Sequence, residues 1–154
     1  MDCNSKLPTF RDWLYTKQGD LTSGKLYPYL KSKPVYQCPT DRLELAAKKR
    51  PQPFTSTFGP NGNRTAPRNY SYAMNCGLCH TTDLSSFLEP SKTVIYLEGA
   101  LAPDDYSGQV GPLGTPTQAL SYRHKKKGHL IMADLRIEKM DRAEVSRVAT
   151  TKRF

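Results

Sequence analysis

One short segment of the chain has the spacing of residues that carry a prosthetic group. Cys76 and Cys79 are separated by two residues, and His80 follows at once. In c-type haem attachment, two thiols at this spacing bond the haem vinyl groups and the adjacent histidine ligates the iron. The same thiols could instead form a local disulfide, stay reduced, or supply half of a zinc site that distant Cys or His residues complete. The residues alone leave these alternatives open.

A second set of polar residues could bind a hard cation. His124 and Asp134 bracket one apolar strand and Glu98 ends another, so the three could meet at strand ends. Asp104 and Asp105 form an acidic pair in a loop and are the alternative calcium ligands. Calcium prefers more oxygen ligands than the sequence clusters, so hydrogen bonds that fix turns are the simpler role for these side chains.

The remaining sequence contains no enzyme signature. We find no Ser-His-Asp or Cys-His constellation with a local nucleophile signature, no Gly-rich phosphate loop and no paired-carboxylate pattern for acid–base catalysis, so we expect neither catalysis nor a small-molecule substrate. The chain has 23 Lys and Arg against 14 Asp and Glu, for a net charge of +9. These cations are dispersed over residues 48–50, 123–127 and 152–153, which we interpret as a solubilising surface and not a nucleic-acid interface.

The elements that position these residues are short. The sequence has 12 Pro and 10 Gly spread along its length, which favours many short elements instead of long helices. Its 154 residues are most simply a single α+β domain, residues 1–154. Strands are predicted over residues 35–37, 70–74, 93–98, 130–133 and 135–140, and helices over 10–17, 26–30, 41–50 and 83–88. Asp141 and Glu144 have the spacing of a capping box for a further, C-terminal helix.

The last two predicted strands form a hairpin with Asp134 in its turn. Residues 51–68 and 99–116 are predicted to be long irregular loops. No apolar run is long enough to span a membrane, and the N-terminus lacks the apolar region of a signal peptide. The order of the predicted elements places helices early in the chain and an antiparallel sheet after them.

The hairpin and several upstream segments together resemble the prepilin-type family that includes the pseudopilins. The family signature is a His, nine intervening residues and Asp-Gly, and His124 and Asp134 have this spacing behind Arg123 and around Gly128. The similar upstream segments follow in the family's order: 26–30 (LYPYL), 36–41 (YQCPTD, with Cys38, Pro39 and Asp41), 69–75 (NYSYAMN, with Tyr72 and Asn75) and 90–98 (PSKTVIYLE).

The chain departs from the family pattern at three places. Leu135 stands where the family has the Gly of the signature, so we expect a turn of different geometry there. Glu98 replaces an Asp, and the segment from Cys76 to His80 has no counterpart in the family pattern.

The resemblance implies a pilin-like globular head of short helices on an antiparallel sheet, acting as a structural subunit of a type II secretion pseudopilus or a type IV pilus-like filament. It implies other pilin or pseudopilin subunits as partners. It also implies an inner-membrane anchor through an apolar helix encoded upstream of Asp2, with Met1 supplied by a vector.

The same resemblance places the head in the cell envelope, with no cofactor. Oxidising conditions there would permit Cys76 to pair with Cys79, or Cys3 with Cys38. His124 and Asp134 would hold strand ends in register. The alternative that the residues leave open is an envelope electron-transfer protein carrying c-type haem.

Overall fold

A five-stranded sheet forms the centre of the molecule. The computed structural model describes residues 13–15, 19–48, 68–75, 87–103, 108–110 and 119–150. Its strands are β1 (Tyr72–Asn75), β2 (Val94–Glu98), β3 (Gln109–Val110), β4 (Lys127–Met132) and β5 (Ile137–Asp141). They lie in the order β3-β1-β2-β4-β5. The four longer strands pair antiparallel, as predicted, whereas the two-residue β3 pairs with β1 in parallel.

Within the described residues, three α-helices accompany the sheet: α1 (Tyr27–Leu30), α2 (Pro39–Ala46) and α3 (Arg142–Thr150). The mixed α+β class is therefore confirmed. Helix α2 begins earlier than predicted because Pro39 occupies its first turn, where a residue without an N–H loses no hydrogen bond. The helices predicted over 10–17 and 83–88 lie largely outside the described residues.

The strand predicted over residues 35–37 is wrong. The chain forms a 3₁₀ helix there, Lys33–Tyr36, with Pro34 in its first turn. Proline fixes φ near the helical value, and this local constraint outweighs the β-propensity of Val35 and Tyr36. Tyr36 is buried even so, while Val35 remains exposed.

Strand β4 turns one of its two faces to the core, whereas the central strand β2 is buried on both faces. In β4, exposure alternates residue by residue, with Gly128, Leu130 and Met132 buried, as the period of two in a strand requires. Val145 of α3 and Leu14 join this core. Leu101 is also fully buried, so the beginning of the predicted loop 99–116 packs into the molecule, and β3 lies within the same range.

The β4–β5 hairpin is confirmed, and its turn reaches the backbone conformation that a glycine would favour. Leu135 has φ of 68°, and its N–H donates to the Met132 carbonyl at 2.9 Å. The Asp134 carboxylate accepts a hydrogen bond from the Arg136 N–H at 3.1 Å. The Met132 N–H donates to the Arg136 carbonyl at 2.9 Å, so the closed loop has three residues, 133–135, and loops of this length end in such a left-handed residue. The expectation that Leu135 would force a different turn is therefore wrong.

The predicted capping box of the last helix is confirmed. The Asp141 carboxylate accepts from the N–H groups of Ala143 and Glu144, and the Glu144 carboxylate accepts from the Asp141 N–H at 2.7 Å. These bonds satisfy N–H groups that the first helical turn leaves without partners.

Within the described ranges, no helix combines the length and the apolar character that a bilayer-spanning segment needs.

Candidate functional site

A buried carboxylate at the end of β2 is the centre of the candidate site. Glu98 is only 1% exposed, although it follows the apolar residues of the central strand. Across the β1–β2 ladder it lies opposite Tyr72. Burial, followed by the nearby charge of Glu98, raises the pKa of the Tyr72 hydroxyl. A carboxylate in such surroundings requires charged or hydrogen-bonding partners.

Three cationic or potentially cationic side chains supply those partners. Arg123 Nη1 donates to Glu98 Oε1 at 3.1 Å, and His124 Nε2 lies 3.1 Å from the same oxygen. His129 Nδ1 lies 3.2 Å from Glu98 Oε2. Both carboxylate oxygens therefore have partners, all of which come from one stretch of chain around the start of β4.

A tight turn brings the two histidines to the same carboxylate. Lys125 and Lys126 both have positive φ, 54° and 64°, and the backbones of His124 and Lys127 exchange hydrogen bonds of 3.1 Å. The turn folds His124 back over the start of β4, and the centroids of the His124 and His129 rings are 4.8 Å apart. Non-glycine residues adopt positive φ at some cost, so tertiary contacts must hold this turn.

A second buried carboxylate, Asp41 on the first turn of α2, lies between two guanidinium groups. Arg68 contacts both of its oxygens, with Nη2 donating to Oδ1 at 2.9 Å. Ser71 Oγ donates to Oδ2 at 2.6 Å. Burial alone would raise the pKa of Asp41, but hydrogen bonds and charge from Arg68, with help from Ser71 and Arg123, lower it.

Arg123 joins the two carboxylates. Its Nη2 lies 2.9 Å from Asp41 Oδ1, without the angle of a hydrogen bond, and its Nε donates to Glu44 at 3.2 Å. Burial would lower the pKa of Arg123, but Asp41, Glu98 and Glu44 raise it, so the guanidinium stays charged. Helix α2 is thereby tied by ion pairs to β2.

Cys38, directly before α2, completes the arrangement. Its N–H donates to Ser71 Oγ at 2.8 Å, and its Sγ lies 3.4 Å from His124 Nε2. The thiol is free and buried. Burial raises the pKa of Cys38, and the charge of Glu98 raises it further, although the backbone N–H of Asp41 acts in the opposite direction. We call this set of side chains the buried polar network. Its members are Cys38, Asp41, Arg68, Ser71, Glu98, Arg123, His124 and His129.

The geometry around His124 argues against a nucleophile–base–acid triad. In a triad the nucleophile bonds one ring nitrogen of the histidine and the carboxylate orients the other. Here Cys38 Sγ and Glu98 Oε1 both approach the same nitrogen, Nε2. The ligand atoms of Cys38, Glu98 and His124 converge on one point and all lie within 4.8 Å of one another.

The structure brings together some of the predicted site residues and separates others. His124 and Glu98 meet as predicted, but Asp134 lies beyond the opposite end of β4, exposed in the hairpin turn. The three-residue cation site is therefore wrong as predicted. Asn75 is buried and its Nδ2 donates to the Val94 carbonyl at 3.0 Å, which ties β1 to the beginning of β2.

Several predicted residues lie outside the described ranges. These are Cys76, Cys79 and His80 of the haem or zinc pattern, the acidic pair Asp104 and Asp105, and Cys3. The haem alternative and the loop calcium site stay predictions. Cys38 itself carries a free thiol in this structure, not a disulfide.

Sequence reasoning missed the buried arginines and His129. Arg123 was interpreted as part of a solvated basic run, yet its side chain is 4% exposed, and that of Arg68 is fully buried. No local signal marks the two arginines, because an acid such as Asp41 in the first turn of a helix is favourable without a buried partner. His129 was detectable from spacing, because His129 and Ile131 alternate with the buried Gly128, Leu130 and Met132 of β4.

Comparisons with known proteins add no assignment: no protein-family model, no curated protein sequence and no solved structure matches the chain. The fold and the site by themselves define an α+β protein in which the buried polar network connects helix α2 to β2, the central strand of the sheet.

Proposed function

We propose that this chain is the globular head of a structural subunit in a type II secretion pseudopilus or a type IV pilus-like filament. Such a subunit acts through contacts with neighbouring subunits and with cargo, and performs no catalysis. The proposal also places the head in the cell envelope, on an inner-membrane anchor.

One observation carries this proposal. The segments that resemble the prepilin-type family are far apart in sequence, yet their polar residues converge in the fold. Residues of the buried polar network that come from these segments are Cys38, Asp41, Ser71, Glu98, Arg123 and His124. Unrelated short resemblances would have no reason to meet in space, so the convergence supports one inherited fold.

The chemistry of the buried polar network also suits a structural role. Asp41 and Arg68 are almost fully buried and bond each other through both carboxylate oxygens. Ion pairs of this kind add little net stability compared with apolar packing, but breaking one is costly. They therefore favour one arrangement of helix and sheet over others, which a repeating assembly requires of each subunit.

Exposed apolar side chains offer places for subunit contacts. Tyr29 on α1 is 83% exposed and Leu43 on α2 is 69% exposed. Ile137 on the edge strand β5 is exposed to the same degree as Leu43. In the proposed filament these side chains contact a neighbouring head or cargo protein.

The test begins with the natural gene. We expect codons upstream of Asp2 for a prepilin peptidase site and an apolar segment of about 20 residues. A photo-crosslinking residue at Tyr29 or Leu43 of the full gene product, expressed in its host, should give a ladder of multimers that disappears without the peptidase. The matched control is the same residue at Lys92, an exposed position that pairs with Glu89. Absence of the upstream segment would refute the proposal, as would a ladder that persists without the peptidase.

A further inference from the structure

We infer that Cys38, Glu98 and His124 form a binding site for a divalent transition-metal ion, with zinc as the best match. The inference is independent of the filament role, since neither proposal requires the other. It starts from three donor atoms of different chemistry, supplied by the residue before α2, the end of β2 and the turn before β4, that lie within 4.8 Å of one another.

The spacing of the donors matches the ligand shell of zinc. Typical bond lengths of about 2.3 Å to sulfur and about 2.0 Å to nitrogen or oxygen give tetrahedral edges of about 3.5 Å for sulfur to nitrogen and about 3.3 Å for nitrogen to oxygen. Cys38 Sγ lies 3.4 Å from His124 Nε2, and Glu98 Oε1 lies 3.1 Å from the same nitrogen. The third pair, Cys38 Sγ and the Glu98 carboxylate, lies within 4.8 Å, so two of the three edges already have the length that zinc needs and the third closes when the ion binds.

The hydrogen-bonding capacity of His124 leads to the same site. Nε2 carries either one proton or one lone pair, yet it faces both a sulfur and a carboxylate oxygen. As a hydrogen-bond donor or acceptor it satisfies only one of them well. A metal ion placed among the three atoms uses the lone pair of Nε2, the thiolate and the carboxylate at once.

The surrounding charges accommodate a divalent cation. With the Cys38 proton released on binding, the negative groups are that thiolate, Glu98, Asp41 and Glu44. The positive groups are Arg68, Arg123 and the divalent ion, so the charges balance. Arg123 Nη1 donates a hydrogen bond to one lone pair of Glu98 Oε1. The other lone pairs of the carboxylate point away from Arg123.

His129 acts as an outer support of the site. Its Nδ1 contacts Glu98 Oε2 at 3.2 Å and so orients the carboxylate that ligates the ion. Three protein ligands leave one tetrahedral position for water, and the side chain of His124, 26% exposed, brings the site close to solvent. Thiolate, imidazole and carboxylate together suit zinc or cobalt(II) better than calcium or magnesium, which take oxygen ligands.

The experiment uses cobalt(II) as a spectroscopic probe under reducing conditions. In a background with Cys3, Cys76 and Cys79 replaced by Ser, Cys38 is the only thiol, which removes the competing cysteine pair. We expect one equivalent of cobalt to give a thiolate-to-cobalt charge-transfer band and tetrahedral d–d bands, both lost on adding zinc. Cys38→Ala should abolish the charge-transfer band, and His129→Asn should weaken binding about 10- to 100-fold without abolishing it.

Circular dichroism of each variant shows whether that variant is folded. No saturable band in the folded Cys38-only background overturns the inference, as does a band that survives in folded Cys38→Ala. If the serine background does not fold, a zinc-loaded crystal of the natural chain replaces it. An anomalous peak about 2.3 Å from Cys38 Sγ supports the site, and zinc bound without a peak there overturns it.

Discussion

Replacing Asp41 with Asn tests whether the buried polar network is held by charge. Asn has nearly the same shape as Asp, so packing around position 41 is preserved. The substitution removes the negative charge that lies between Arg68 and Arg123, whose side chains are 0% and 4% exposed. Arg123 keeps Glu98 and Glu44 as partners. Among the described residues, Arg68 then keeps uncharged partners only, which are the amide oxygen at position 41 and the backbone carbonyls of Tyr70, Leu101 and Ala102.

The expected loss follows from the uncompensated Arg68 charge. Removing one member of a buried ion pair costs about 3–5 kcal/mol, because the other charge stays away from water. With an unfolding slope of about 2 kcal/mol per molar urea, the midpoint of denaturation falls by about 2 M. Glu44→Gln is the matched control, since it removes a partly exposed partner of Arg123 and should cost at most about 1 kcal/mol.

Urea denaturation followed by circular dichroism at neutral pH measures both variants. A loss below about 1 kcal/mol for Asp41→Asn, or an equal loss for Glu44→Gln, would refute the assigned role of the charge. The pH dependence gives a second check. Because the pKa of Asp41 is lowered in the folded state from 3.8, its stabilisation is present above the unfolded value and is lost as pH falls through the folded one. The gap between wild type and Asp41→Asn should therefore narrow below about pH 4.

Three further substitutions test local geometry. Because Leu135 has φ of 68°, Leu135→Gly should stabilise the protein by about 0.5–1 kcal/mol and raise Tm by about 1–4 °C. The control is Ile137→Gly, which should lower Tm, because Ile137 is as exposed as Leu135 but lies within β5. Gly128→Ala should destabilise by about 1–3 kcal/mol in urea titrations, because its Cβ would lie 2.2 Å from the Ser121 carbonyl oxygen; an unchanged midpoint would contradict that contact. Asp141→Ala should reduce the helical circular dichroism signal at neutral pH. Hydrogen bonds from the N–H groups of Glu144 and Ala143 lower the pKa of Asp141. In wild type the helical signal should therefore fall as the pH falls through this pKa, and a pH-independent signal would contradict the cap.

Elements governed by local rules were predictable from the sequence. The hairpin around Asp134, the strand ending at Glu98 and the capping box of Asp141 and Glu144 each follow from periodicity or spacing within a few residues. The predicted strand at 35–37 failed because a proline constraint and a β-propensity compete over so short a segment.

The candidate site depended on contacts that no local pattern contains. Cys38 and His124 are 86 residues apart in the chain, and Asp41 and Arg68 are 27 apart. Charged residues are usually exposed, so a sequence offers little reason to bury an arginine until its carboxylate partner is known. The resemblance to a family singled out several of these residues, but it did not indicate which of them contact one another.

The sequence distances in the buried polar network also set the order in which the molecule assembles. The β4–β5 hairpin closes a three-residue loop, and isolated hairpins form in about 1–10 μs. The contact between Cys38 and His124 must close a far longer loop, and it also needs β2 in place to present Glu98. Long-range contacts of this kind form late, so the hairpin precedes the junction of α2 with the sheet. We therefore expect that weakening the ion pairs around Asp41 and Arg123 raises the unfolding rate more than it lowers the folding rate.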